Sequence, residues 1–247
     1  MEKFGVKIKG VNMRNSGKYY EESLYPLQNG VLSIVNSAKT PFFLTGGTAL
    51  SRHYLHHRYS DDLDFFVPND PDYAAHVDMI LRHLLDAGHR YNCELDRGSL
   101  NKSDAYTQLY IRRDQQPDME LKVEFINDVA AHYGTITEDP VLGRIDSWQN
   151  ILSNKLTALF RSEPKDVVDI HALALVKDFN WEEIVTEAKS KEAGIDPQTI
   201  YGILHSFPMQ SLDSINWINR PVTEDFISDI EIIADDILHG NDNSLVS

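Results

Sequence analysis

The sequence predicts an α+β front half followed by an all-helical back half. Short apolar runs bounded by glycine or acidic residues recur as far as Asn127. From about Trp148 onward the apolar residues fall at helical spacing, and no repeat or low-complexity linker divides the two regions. With 247 residues, 42% of them apolar, the chain can bury a proper core, and the change of pattern suggests a division into residues 1–140 and 141–247.

In chain order, Tyr19 to Ser37 reads as a helix with Leu24, Leu27, Val31, Leu32 and Val35 on one side and a bend near Pro26. PFFLT, from Pro41 to Thr45, is a buried strand that Gly46 and Gly47 turn into a helix running from Thr48 to about His57. Asp62 to Val67 is a second strand. Asp70 and Pro71 open a helix that carries Val77, Ile80, Leu81, Leu84 and Leu85 and stops at Gly88. Further strands are expected at Tyr91–Leu95, Ala105–Arg113 and Glu120–Asn127. In the last, Leu121, Val123 and Phe125 face one way and Lys122 and Glu124 the other. Helices follow at Ser147–Arg161, Pro164–Lys177, Trp181–Lys189, Pro197–Phe207 and Thr223–Leu238.

Composition excludes several classes. No apolar run is long enough to cross a bilayer and the first residues lack a signal-peptide core, which points to a cytoplasmic protein without membrane association. The single Cys93 rules out an internal disulfide framework and a multi-cysteine zinc site. A net charge of −15 argues against broad adhesion to nucleic acid. The charge is uneven, however. Lys3, Lys7, Lys9, Arg14 and Lys18 crowd the start, whereas Pro221 to Ser247 holds acidic residues and no Lys or Arg. A local basic patch is left open: any RNA would have to be captured by a restricted cationic surface, for which the cations of that start, with Arg112 and Arg113, are the candidates.

The chemistry concentrates in GGTALSRHYLHHRYSDDLDFFV, Gly46 to Val67. Strand residues alternate faces, so Asp62 and Asp64 project together and can grip one hard cation, while Asp61 points away. Glu124 joins them if its strand pairs beside theirs. Three carboxylates in one cleft repel unless a divalent metal neutralises them, and Mg²⁺, with Mn²⁺ as a substitute, suits oxygen donors and phosphates. Gly46 and Gly47 permit close backbone approach, and the following helix start with the Thr48 hydroxyl can meet a phosphate. A phosphate nest beside a D-x-D pair suits nucleotidyl transfer, with one metal at the attacking hydroxyl and a second on the triphosphate. Arg58 is expected to hold the loop presenting Ser60 and the aspartates. His53, His56 and His57 are expected at the helix surface. Asn154 to Leu173 forms a second cluster, with two readings. Lys165 and Arg161 pair Asp166 and Asp169 in a charged hairpin, or Lys155 meets the triphosphate with Asp169 or Asp166 near the nucleotide or the attacking hydroxyl.

These residues resemble the AbiEii/AbiGii-type nucleotidyltransferases, relatives of the MenT toxins in the DNA polymerase β-like superfamily. The likeness rests on Gly46, Gly47, Thr48, Ala49 and Leu50, then on Arg58, Ser60, Asp62, Leu63, Asp64 and Phe65. Lys155, Leu156, Ala158, Arg161, Lys165, Asp166 and Asp169 match the later K-L-x-A-x-x-x-R and R/K-D-x-x-D-L segments. Ile170 departs from the usual leucine, Glu124 is assigned by strand pattern, and no match extends beyond about Phe179. The resemblance implies a polymerase β-like lobe with a mixed sheet, completed by the helical lobe. It also implies Mg²⁺-dependent transfer of a nucleoside monophosphate from an NTP, often by a toxin beside a cognate antitoxin, with the tRNA 3′ end as acceptor in some relatives. Asp62, Asp64, Glu124, Lys155 and Asp169 are then the catalytic candidates, the first three as metal ligands. Gly46, Gly47, Thr48, Arg58, Ser60, Lys155, Arg161 and Asp166 are the nucleotide-binding candidates. A protein hydroxyl or a small molecule such as an aminoglycoside is the alternative acceptor. A binding module with a decayed site has no support, because Asp62, Asp64, Lys155 and Asp169 are all present.

Overall fold

In the computed structural model, which describes residues 16–113 and 116–246, a mixed seven-stranded sheet carries the front of the chain and helices complete it. Helix α1 (Ser16–Tyr19) passes through a π-helical turn at Tyr20–Leu24 into α2 (Tyr25–Ser37). The widened turn lies just before Pro26, whose missing N–H cannot continue the ordinary ladder, and this is the bend the sequence suggests. Strand β1 (Phe43–Thr45) leads directly into α3 (Gly46–Ala49), which continues as a π-helical stretch to Leu55. The helix therefore starts two residues before the expected Thr48.

Strand β2 (Leu63–Pro68) pairs antiparallel with β1, with Thr45 opposite Asp64. After α4 (Tyr73–Ala87) come β3 (Cys93–Lys102), β4 (Tyr106–Arg113) and β5 (Gln116–Asp128). Two three-residue strands, β6 (Thr137–Asp139) and β7 (Gly143–Ile145), were not expected; three residues are too few to show a period. The spatial order is β3-β4-β5-β2-β1-β7-β6. Strand β7, although past residue 140, runs parallel to β1.

The alternation in β5 sorts its faces. Leu121, Val123 and Phe125 are fully buried with Leu63, Phe65 and Val67 of β2. Phe65 stacks on Phe125 at 5.2 Å, and the Tyr73 hydroxyl of α4 donates to the Phe125 carbonyl and is hydrogen-bonded with the Thr107 hydroxyl. Burying each such ring contributes roughly 1.5–3 kcal/mol. The opposite face, bearing Asp64, Lys122 and Glu124, is left for the helical half.

That half comprises α5 (Trp148–Ala158), α6 (Pro164–Ala174), α7 (Trp181–Lys191), α8 (Pro197–His205) and α9 (Thr223–His239). Ser147, Asn180 and Asp196 cap α5, α7 and α8 with side-chain oxygens. The segment before α9 folds back on the loop after α3. Tyr59 N–H donates to the Asn216 carbonyl at 2.7 Å, and Arg58 bridges Trp217. Among the described residues no helix is long and apolar enough to cross a membrane.

Candidate active site

Both glycines are explained by what approaches them. Gly46 has φ +67°, and a Cβ there would lie 2.8 Å from Asp64 Oδ2. At Gly47 a Cβ would meet Arg58 Nη2 at 2.5 Å and Ser60 Oγ at 3.1 Å. The turn is therefore pressed against a carboxylate on one side and a guanidinium on the other. It lines a cavity of about 530 Å³, open to solvent between sheet and helices. The Thr48 hydroxyl does not face that cavity as expected. It donates to the Asp62 carbonyl at 2.5 Å, so it fixes the aspartate loop instead of meeting a phosphate.

The carboxylates gather as strand alternation predicts. Strand β5 lies parallel to β2 in a register that sets Glu124 beside Asp64, and Asp62 precedes β2 on the same face. Burial first, then the negative charges of Asp62 and Glu124, push the Asp64 carboxyl up to about 7. Burial also raises Asp62, against the pull of Lys122. For Glu124 the upward push of burial is outweighed by hydrogen bonds from Lys122 and Tyr106, and its carboxyl sits below the ordinary value. Lys122 Nζ lies 3.2 Å from Asp62 and 2.8 Å from Glu124, and the Tyr106 hydroxyl donates to the other Glu124 oxygen. Among the described residues no three His, Cys, Asp or Glu side chains are already grouped as metal ligands, and the Lys122 ammonium lies between Asp62 and Glu124. The donor set nevertheless fits a hard divalent cation. Its oxygens are of the right kind, and after burial the negative charges of Asp62 and Glu124 contribute to raising Asp64, a repulsion such an ion would relieve.

Behind the cavity wall lies a buried charge cluster centred on Asp169, which is 0% exposed. Arg58 grips it with Nε and Nη2, each at 2.7 Å, while His57 Nε2 stands at 2.8 Å and Lys155 Nζ at 2.7 Å. Burial would raise the Asp169 carboxyl, but Arg58 and Lys155 hold it well below the usual range. Lys155 also donates to Asp166 at 2.7 Å, and Arg161 reaches Asp166 at 3.3 Å. Three expectations change accordingly. Lys155 borders the cavity, yet its ammonium is committed to two aspartates. Asp166 and Asp169 sit behind the wall, and their partners are Lys155, Arg58 and Arg161, not Lys165. His57 is buried, because the 216–219 segment covers its loop. Arg58 does hold that loop, donating also to the Tyr59 carbonyl at 3.0 Å.

Gly46, Gly47, Arg58, Ser60, Asp62, Asp64, Glu124, Lys155 and Arg161 all line the cavity. Lys165 does too, as does Lys191, which sequence reasoning missed. From the end of α7, Lys191 Nζ reaches Asn150, Ser153 and Asn154 of α5, each at 2.7 Å, and burial lowers its ammonium to about 8. Six Lys or Arg and six Asp or Glu side chains line the cavity, in a chain with 23 basic and 38 acidic residues. The cavity is thus electrically balanced while the chain is not. It is also polarised, with Asp62, Asp64 and Glu124 on the sheet side facing Arg161, Lys165 and Lys191 on the helical side. Of the expected RNA surface, the described residues Lys18, Arg112 and Arg113 do not line the cavity. Arg112 pairs with Asp96 and Glu120, Lys18 with Glu22, and Lys3, Lys7, Lys9 and Arg14 lie outside the described residues.

A glycine turn set against paired aspartates at the end of a mixed sheet, with cationic side chains of the helical half across the cavity, is the arrangement of a nucleotidyltransferase. The family model described as nucleotidyl transferase AbiEii toxin, type IV TA system, matches residues 33–235, and the chain belongs to that family. No curated protein matches the sequence. Among solved structures, JHP933 from Helicobacter pylori is similar at 20% identity and a TM-score of 0.59, covering 89% of this chain and 92% of its own. MenT4, a nucleotidyltransferase toxin from Mycobacterium tuberculosis H37Rv, is similar at 16% identity and a TM-score of 0.56, covering 92% of this chain and 90% of its own. At these identities the likeness concerns the fold.

Proposed function

We propose that this nucleotidyltransferase acts as the toxin of a toxin–antitoxin pair and transfers a nucleoside monophosphate from an NTP to an RNA acceptor such as the tRNA 3′ end. The observation that carries the reading is the polarised cavity, which offers carboxylates to a cation and, across from them, Arg161, Lys165 and Lys191 to a triphosphate. Asp62 and Asp64 hold the divalent cation, Mg²⁺ or Mn²⁺, with Glu124 in the same carboxylate cluster. When bound, the cation lowers the proton affinity of an acceptor hydroxyl and neutralises phosphate charge. The acceptor hydroxyl gives up its proton to solvent as its oxygen forms a bond to the α-phosphorus, the bond from that phosphorus to the oxygen bridging to the β-phosphate breaks, and pyrophosphate leaves toward the lysines. The start of α3, whose Gly46 and Gly47 line the cavity, would offer helix-terminal backbone N–H groups to phosphate oxygens. Asp169 acts through Arg58 and Lys155, holding the loop of Ser60 and the aspartates in place.

We divide the work between a catalytic lobe, residues 1–140 together with β7, and a helical lobe that completes the nucleotide site. The type IV description of the family supports a cognate antitoxin, and consumption of NTPs suits the cytoplasm. Purified protein incubated with each α-labelled NTP, Mg²⁺ and total cell RNA or total cell protein tests the reading. Label is expected in a short, defined RNA. Label confined to protein would replace the RNA acceptor with a protein hydroxyl, and no label from any NTP would refute the transfer reading.

A further inference from the structure

We propose that Lys122 is a built-in substitute for a second divalent cation, so that the chain binds one metal ion, at Asp62 and Asp64, and supplies the neighbouring positive charge itself. This rests on the metal-dependent reading above and specifies the stoichiometry of that same site. Two-metal transfer needs carboxylates free to bridge or ligate both ions. Here each Glu124 oxygen already has a protein partner, one accepting from Tyr106 and the other from Lys122 at 2.8 Å, so a second ion would have to compete with the Lys122 ammonium for it. Lys122 in turn spans the gap to Asp62 Oδ2 at 3.2 Å, with its side chain 28% exposed.

The arrangement is fixed by backbone register. Lys122 and Glu124 are two apart on one face of β5, β5 is locked parallel to β2 with Glu124 beside Asp64, and β4 brings Tyr106 alongside. An ammonium offers one positive charge and three N–H donors but no open coordination position. It can neutralise carboxylate or phosphate, yet it cannot activate a hydroxyl by ligation. Only the Asp62 and Asp64 position retains that capacity, and Glu124 becomes the anchor that keeps the ammonium in place.

The test is a titration of the full chain with Mn²⁺ alone, with free Mn²⁺ and any coupling between bound ions read by electron paramagnetic resonance. The parent protein is expected to bind one Mn²⁺ per chain. Lys122→Met should bind a second, coupled to the first, or tighten the first by about tenfold or more, since a competing cation has gone. Lys122→Arg keeps the charge and should bind one. Two coupled ions in the parent, or a Met variant with unchanged stoichiometry and affinity, would overturn the inference while leaving the metal reading intact. Absence of Mn²⁺ binding in the parent and both variants would overturn the metal reading itself, and this inference with it.

Discussion

Replacing Asp169 by Asn keeps the shape of a fully buried side chain and removes its charge. The carboxylate accepts two hydrogen bonds from Arg58 and forms an ion pair with Lys155 at 2.7 Å, with His57 Nε2 at 2.8 Å. The amide that replaces one oxygen would turn donors toward Arg58 or Lys155, and Arg58 would keep no carboxylate partner. Breaking a buried ion pair from one side costs about 3–5 kcal/mol. For a chain of 247 residues a loss of 1 kcal/mol lowers Tm by about 2 °C, so Asp169→Asn should melt about 6–10 °C below the parent in a circular-dichroism scan. The effect should depend on pH. Because the folded Asp169 carboxyl lies well below its ordinary 3.8, its contribution is complete above that value and is lost as pH falls through the folded one. The parent should therefore lose stability on strong acidification where the Asn variant loses less. An Asp169→Asn protein that melts within about 2 °C of the parent yet has lost NTP binding would refute this account and make Asp169 a substrate contact.

Lys165 borders the cavity whereas Lys155 is committed to two aspartates, so Lys165→Ala should raise KM for NTP with Tm unchanged, and Lys155→Ala should lower Tm by several degrees. The reverse pattern would restore Lys155 to the triphosphate. Lys191 is about half neutral near pH 8 in the folded protein, and a bound triphosphate raises its proton affinity. NTP binding at about pH 8.5 should then take up a fraction of a proton. Calorimetry in buffers of different ionisation enthalpy reads this uptake, and an unchanged signal in Lys191→Met would rule Lys191 out.

The site was legible wherever one element carries its own signal. Asp62 and Asp64 share a face by strand alternation alone, and the polar side of β5 brought Glu124 and Lys122 forward together. What Lys122 touches was not legible, because its reach to Asp62 depends on β5 lying parallel to β2, a pairing between residues some sixty positions apart. Lys191 went unread because the expected helix stopped at Lys189, whereas α7 runs on to Lys191, and cations near a helix end are favoured for electrostatic reasons alone. His57 looked exposed because the 216–219 segment that covers it carries no pairing signal. Lys155 and Asp169 stood out as a charged cluster, but which cation pairs which acid is decided by packing between α5, α6 and the Arg58 loop.

The grip of Arg58 on Asp169 also sets an order of events during synthesis. The two residues are 111 positions apart, and Arg58 is the guanidinium pressed against Gly47. At roughly 5–20 residues per second, about 5–20 s separate their emergence from the ribosome. Through that interval the glycine turn and the aspartate strand can exist while the group that braces them has no counter-charge. The Arg58–Trp217 bridge extends the wait further toward the C-terminus. A nascent chain from which Asp169 has not yet emerged therefore presents the glycine turn with the Arg58 guanidinium still lacking the carboxylate that holds it in the finished fold.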